Sequence, residues 1–293
     1  MAKIPNPDLF GGVKFNVKYR FGPRYPERKN TVTRHDPIDD LARPPLALVI
    51  GQVRFSPVRK MPEMVDDLQE TMRHVGLERF SEEKVQQIHF GPKITTTDVT
   101  RWVFRNRKQT EAVFLTQDFI VLATSEYVRF EAFQERLVSL VGKLQEIASP
   151  SFAEQVGIRY LNLLREIDGL TPRQLAADGL RGLSGDELEC EASQTQTMTR
   201  SQTEIGVLTI RCLDMVGSDF LPPDLQIQGL KFSNTPDERE PYRLLDIDNM
   251  TSNGEAIEFD DLKDILWKLH RFTSRAFKQS VTDFARKCWR EQQ

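Results

Sequence analysis

The chain is poor in cysteine and histidine, the thiolate and imidazole ligands of zinc sites. Its 293 residues include three cysteines, Cys190, Cys212 and Cys288, and four histidines. Thiols so few and so scattered make neither a disulfide framework nor a zinc knuckle. Cys212 falls in an apolar strand pattern and Cys288 in a helical one beside Trp289, so buried, inert thiols are expected. A Cys190–Cys212 bridge between neighbouring strands is geometrically open, but a reducing compartment argues against it. None of His35, His74, His89 and His270 has a metal-type partner three or four residues away. A phosphate-cradling glycine loop, a nucleophile elbow and a Cys–His pair are all missing, so no cofactor is expected. No apolar stretch approaches the ~20 residues that span a bilayer, which excludes a membrane-spanning helix. Residues 1–7 lack the apolar core of a secretory signal, and a cytoplasmic address is expected. The formal net charge of -3 gives no global pull toward nucleic acid or acidic membranes.

Hydrophobic residues at 39 % and charged residues at 28 % are ordinary for a globular protein and supply ample core. Two stretches share one grammar: a strand, an amphipathic helix, a run of strands, then a closing helix. The segment LALVIGQVRF at 46–55 opens the first, and FAEQVGIRYLNLL at 152–164 opens the second. The expected fold is α+β, with two similar halves, each a mostly antiparallel sheet closed by a long helix. An N-terminal basic arm at 1–41 precedes the first half at 42–150 and the second at 151–293.

Local signals place the elements. Pro44 and Pro45 stop any helix before the first strand. Pro62 starts a helix whose apolar residues, Met61, Met64 or Val65, Leu68, Met72 and Val75, recur at helical spacing, and Gly76 ends it. Strands are expected near 84–91, 97–106, 111–117 and 119–125. Period-two alternation sets Trp102, Phe104 and Asn106 on one face. A helix over 129–147 carries the stripe Phe130, Phe133, Leu137, Val141 and Leu144. Thr171 and Pro172 read as a cap and first-turn proline. Residues 187–197 and 203–216 read as a strand pair joined near Arg200, 217–240 as partly loop, and 242–250 as a strand. One long helix over 258–289 buries Leu262, Ile265, Leu269, Phe272, Ala276 and Val281.

The order of these landmarks carries a resemblance. Pro45 and Leu46 open a Val-rich strand, Trp102 and Phe104 share a strand face, and Tyr127 with Phe130 and Phe133 enters a helix. Gly157-Ile-Arg-Tyr-Leu-Asn162 follows, then Leu269-His270, Ala276-Phe277 and Val281-Thr282. Over about residues 44–285 this pattern resembles a sporadically distributed, uncharacterised bacterial family known mainly as a sequence profile. The resemblance implies cytoplasmic prokaryotic proteins of patchy distribution, common among mobile and anti-phage loci. It supplies no catalytic residues.

Several constellations compete for function. The acidic run DELECE at 186–191 sets Glu187, Glu189 and Glu191 on one strand face, a possible Mg²⁺ holder or a solvated edge. Asp246 and Asp248 also share a face, without a lysine at a suggestive spacing. Arg159 sits mid-strand among apolar neighbours, where an unpaired charge is costly, so it meets a carboxylate such as Asp246 or Asp248, or a ligand. A recognition surface is expected where the two halves meet, around Trp102, Arg159, Tyr160, Asn162 and His270. The alternative is that these five are core packing. In the arm, Lys14, Lys18, Arg20 and Arg24 interleave with Phe10, Phe15, Tyr19, Phe21 and Tyr25, either as an edge strand or as a nucleic-acid contact. The leading functional expectation is a non-catalytic protein-binding module of a defence or toxin-related complex, with a protein partner encoded nearby. A metal-dependent nuclease, nucleic-acid binding through the arm, and homo-oligomerisation are the alternatives.

Overall fold

The computed structural model describes residues 41–42, 44–90, 94–191, 193–225, 227–252 and 256–290, and their side chains except at 86–90 and 94–97. The basic arm, with Lys14, Lys18, Arg20 and Arg24, lies outside the described residues. Strand β1 (Leu46–Phe55) leads through a 3₁₀ turn at Met61–Met64 into helix α1 (Val65–His74). The hairpin of β2 (Arg79–Phe90) and β3 (Ile94–Arg105) follows, then β4 (Glu111–Leu115), β5 (Phe119–Thr124) and α2 (Phe130–Ala148). The chain continues through β6 (Ala153–Arg165), α3 (Pro172–Leu175), α4 (Asp178–Arg181), β7 (Gln196–Gln202), β8 (Gly206–Val216) and β9 (Pro241–Thr251). It closes with α5 (Leu262–Ser280) and α6 (Asp283–Arg290).

Among the described residues nine strands join one antiparallel sheet in the order β2-β3-β4-β5-β1-β6-β9-β8-β7. The architecture is mixed α/β. The sheet runs without a break from one half of the sequence to the other, because β1 and β6 pair along their whole lengths at its centre. Both are buried on two faces, which explains why each reads as a nearly continuous apolar run rather than an alternating one.

Helices α1, α2 and α5 cover one face. Val49, Val53, Ile120, Leu122, Ile158 and Tyr160 point toward them from the sheet. The expected stripe of α2 is buried at Phe130, Phe133, Leu137, Val141 and Leu144. Gly51 of β1 lets α2 settle closely, since a Cβ there would lie 2.7 Å from Leu137 and 3.0 Å from the Phe133 ring. Burying such side chains stabilises by ~1.5–3 kcal/mol each, which is the main reason the helix docks. The opposite face carries a second apolar layer of Leu48, Ile50, Phe114, Val121, Leu161 and Leu244. Among the described residues no long helix lies over it. An irregular strap at 217–240 lays Phe220, Leu225 and Ile227 against it instead.

Three expectations need correction. Residues 187–195 are not strand: Asp186–Leu188 is a 3₁₀ turn, and β7 begins only at Gln196. Its partner strand is reached through the turn after Gln202, so Arg200 lies within β7 rather than at the joint. The last helix is broken, because Val281 leaves it to bridge Ala176 while Thr282 donates to the Leu175 carbonyl. Of the expected stripe Leu262, Leu269, Ala276 and Val281 are buried, joined by Leu266, Thr273 and Phe277, whereas Ile265 and Phe272 are only half-buried.

Candidate functional site: a buried arginine–aspartate network and the cleft beside its strap

Arg159 lies mid-β6 and its side chain is fully buried on the strap-covered face. Antiparallel register places Asp248 directly across from it on β9, with Asp246 two residues away on the same face. The guanidinium grips Asp246 with both prongs, Nε to Oδ1 at 2.7 Å and Nη2 to Oδ2 at 2.7 Å. From the strap, Asp224 approaches the remaining prong, Nη1 to Oδ2 at 2.6 Å. Arg211 of β8 donates from Nη1 to Asp246 Oδ2 at 2.8 Å. Two cations and three carboxylates therefore meet in one water-poor patch.

The charges respond to that crowding. Burial opposes the Arg159 charge, but Asp246 and then Asp224 outweigh it and hold the guanidinium pKa above its usual value. Asp248 is the carboxylate in surplus. Burial pushes its pKa up to about 7, Asp246 and Asp224 add to the rise, and Arg159 and Arg211 oppose it. Among the described residues its Oδ1 has no hydrogen-bond partner, so no donor at that atom offsets the cost of burying the charged form.

Arginines also staple the strap elsewhere. Arg105 of β3 donates to the Gln228 carbonyl at 2.9 Å, and Arg165 of β6 pairs with Glu240 at 2.5 Å and with Asn234 at 2.6 Å. Bidentate geometry suits this task, because a planar fork fixes orientation as well as charge. Beside the strap a cleft of about 730 Å³ opens between it and the β2–β3 hairpin. Val85, Leu221, Pro222 and Pro223 supply apolar wall, while Lys84 and Asp219 stand exposed at the rim. At its floor Arg101, 2 % exposed, pairs with Glu83 at 2.5 Å.

The other expected site residues lie on the helix-covered face. Tyr160 shares a 2.8 Å hydrogen bond between its hydroxyl and His270 Nδ1. His270 stacks on Phe130 with ring centroids 3.7 Å apart. Asn162 donates to the Leu245 carbonyl at 3.2 Å. Tyr160, Asn162 and His270 thus sit on one side of the sheet and Arg159 on the other. Trp102 shares the helix-covered face but lies on β3, four strands from β6, roughly 19 Å away at ordinary strand spacing. All five are at most 3 % exposed.

Asp246 is one of the two mates expected for Arg159, and it shares a face with Asp248 as the alternation required. The strand row of Glu187, Glu189 and Glu191 does not form. Glu187 instead accepts from the Ser184 backbone and hydroxyl and pairs with Arg173. No metal-holding group of three His, Cys, Asp or Glu residues occurs among the described residues. Cys212 and Cys288 are buried as expected, but Cys190 is exposed because its segment is not strand. Sequence reasoning missed Arg211 and Asp224. Arg211 gives the same signal as Arg159, a charge flanked by Ile210 and Cys212 in an alternating strand. Asp224 follows Pro222 and Pro223 in a loop and gives none. No protein-family model matches the sequence, and no curated protein matches it.

Proposed function

We propose that the chain is a non-catalytic protein-binding module of two similar halves, a cytoplasmic component of a prokaryotic defence or toxin-related complex. Its partner is encoded nearby, and the strap cleft is the recognition surface. One observation carries this reading: apart from the surplus Asp248, the charged side chains buried on the sheet close on one another, whereas the cleft turns apolar wall and charged rim outward. Ion pairs such as Arg159–Asp246, Arg101–Glu83 and Arg243–Asp214 organise structure. A cleft with apolar walls and a few polar groups suits recognition.

The two-halves reading is supported by strand order. The strand before each long helix returns beside the first strand of its half, β5 beside β1 and β9 beside β6. In this reading Arg159 and its aspartates hold the wall of the cleft in place. Tyr160, Asn162, His270 and Trp102 brace the same sheet from beneath the helices. The landmark order from Pro45 to Thr282 supports membership of the patchily distributed bacterial family, and with it the defence setting.

The test is co-purification with the products of neighbouring genes, comparing wild type with Leu221→Asp and Lys84→Glu. Loss of the partner at an unchanged melting temperature supports the reading. Cleavage of DNA or RNA by the purified chain with Mg²⁺ or Mn²⁺ would overturn it.

A further inference from the structure

Two carboxylates stand within reach of the same arginine prong. Arg159 commits Nε and Nη2 to Asp246 and turns Nη1 to Asp224 of the strap at 2.6 Å. Asp248 lies directly across from Arg159 in the β6–β9 register, on the same face, and is 2 % exposed. Directly opposed residues hold their Cβ atoms ~4.5–5.5 Å apart, a span that a guanidinium bridges easily. Among the described residues Asp248 Oδ1 accepts from no donor. A buried acceptor beside donors already engaged is a competitor for them.

The charged groups acting on Asp248 are Arg159 from β6, Arg211 from β8, Asp246 on its own strand and Asp224 from the strap. Thr209 is its neighbour on β8, and Arg200 of β7 stands beyond Thr209 on the same face. With Asp248 protonated, the two arginines of the network face two carboxylates. Ionisation makes three, and a buried charge without compensation is strongly unfavourable. Asp224 is the carboxylate most readily surrendered. Its side chain is 18 % exposed and sits on a loop, whereas Asp246 is 1 % exposed and gripped by both Arg159 and Arg211.

The later part of the strap is held apart from this network. Arg105, Ser125 and Arg165 staple it at Gln228, Lys231, Asn234 and Glu240. Upstream, Asp224 sits in the turn closed by the Leu225 amide donating to the Pro222 carbonyl at 2.8 Å. Leu221, Pro222 and Pro223 beside it line the cleft. We propose that this turn is a charge-operated latch: when Asp248 loses its proton, Arg159 exchanges Asp224 for Asp248, and the cleft wall at 221–225 loosens. Phe220 and Ile227, both buried, keep the segment tethered, so the change stays local. Acidification restores the latch. Because burial raises the Asp248 pKa to about 7, the exchange falls within about one pH unit of that value. That the latch regulates capture at the cleft rests on the recognition reading above. The latch itself does not, and its test uses no partner.

Hydrogen–deuterium exchange of the full chain, resolved to single amides and corrected for intrinsic rates, is compared at pH 5.5 and pH 8.5. The readouts are Asp224 and Leu225 in the turn, with Ile158 and Leu161 in β6 as the reference. In wild type, protection of the turn is expected to fall about tenfold or more at the higher pH while β6 keeps its own. Asp248→Asn, neutral at both pH values, is expected to keep the turn protected at both. Asp224→Asn, which lacks the latch charge, is expected to leave it weakly protected at both. Equal turn protection at the two pH values in wild type overturns the proposal. So does an equal fall in Asp248→Asn, or a fall in β6 as large as that in the turn. Should Asp248→Asn fold poorly, Asp248→Ser provides the same comparison, and the comparison with wild type decides without Asp224→Asn.

Discussion

Replacing Asp248 by asparagine should make the protein more stable at alkaline pH. Two arginines, Arg159 and Arg211, face three carboxylates, Asp224, Asp246 and Asp248, so one negative charge is left over. Burial raises the Asp248 pKa from the ordinary 3.8 to about 7. The folded chain therefore keeps a proton that the unfolded chain has already released between these two values. Because the folded state binds more protons there, unfolding releases one, and stability falls as pH rises. This contribution is fully present below pH 4 and gone above pH 7. A shift of about three units at ~1.4 kcal/mol per unit gives an upper figure of ~4 kcal/mol. Asparagine is neutral throughout and has nearly the same shape. Urea unfolding of both proteins at a series of pH values should show Asp248→Asn ahead by about 2–4 kcal/mol at pH 8. The two should converge near pH 4, with the variant's stability less steeply dependent on pH between. Identical midpoints at pH 8 and parallel pH profiles would refute the charge count.

Arg159→Met keeps volume but strands Asp246 and Asp224 without their main cation, so a loss of about 3–5 kcal/mol is expected in chemical denaturation. Gly51→Val drives side-chain atoms into Leu137 and Phe133, and a loss of about 1–3 kcal/mol with displacement of α2 is expected from calorimetry. One thiol, Cys190, should react with a disulfide reagent in the native protein. Cys212, whose thiol burial pushes up to about 11, and the buried Cys288 should react only after unfolding.

The strap explains how a sheet can be apolar on both faces when, among the described residues, long helices cover only one. A loop alone buries less surface than a helix and would leave backbone groups unsatisfied. Here arginine forks take up that role: Arg105 binds the Gln228 carbonyl, Arg159 binds Asp224 and Arg165 binds Asn234 and Glu240. The Ser125 hydroxyl donates to the Lys231 carbonyl, and the Lys231 amide donates to the Gln109 carbonyl. Strap position is thereby coupled to charge at the centre of the sheet, since Asp224 is both a latch and a neighbour of the surplus carboxylate.

Elements whose pattern is local were readable in the chain. β1 occupies the expected 46–55, β6 and β9 lie within a residue of expectation, and the α2 stripe is the buried one. The Thr171 cap forms with its full capping box, Gln174 answering from the third helical position. These features follow from spacing and from side-chain bonds that reach three or four residues. Where two local structures fit one pattern, reading failed. Alternating Glu-Leu-Glu-Cys-Glu suits a strand, but the Ser184 hydroxyl and amide capture Glu187 and bend the chain into a turn. Nothing in the periodicity of 258–289 announces a break at Val281, because the competing bonds come from Ala176 and Leu175, about a hundred positions earlier.

The amino-acid sequence by itself determined the α+β composition, the positions of the two central strands and the need of Arg159 for a carboxylate. A charge amid apolar strand residues states its own requirement, since burying it unpaired is prohibitively unfavourable. Which carboxylates answer was decided only in three dimensions. Strand order brings β9 beside β6, register sets Asp246 and Asp248 on the face of Arg159, and the strap carries Asp224 in from 65 residues away along the chain. The same order separates Trp102 from His270 and puts Arg159 and Tyr160 on opposite sides. Neighbours in sequence alternate faces in a strand, and proximity across a sheet depends on pairing that no local spacing encodes.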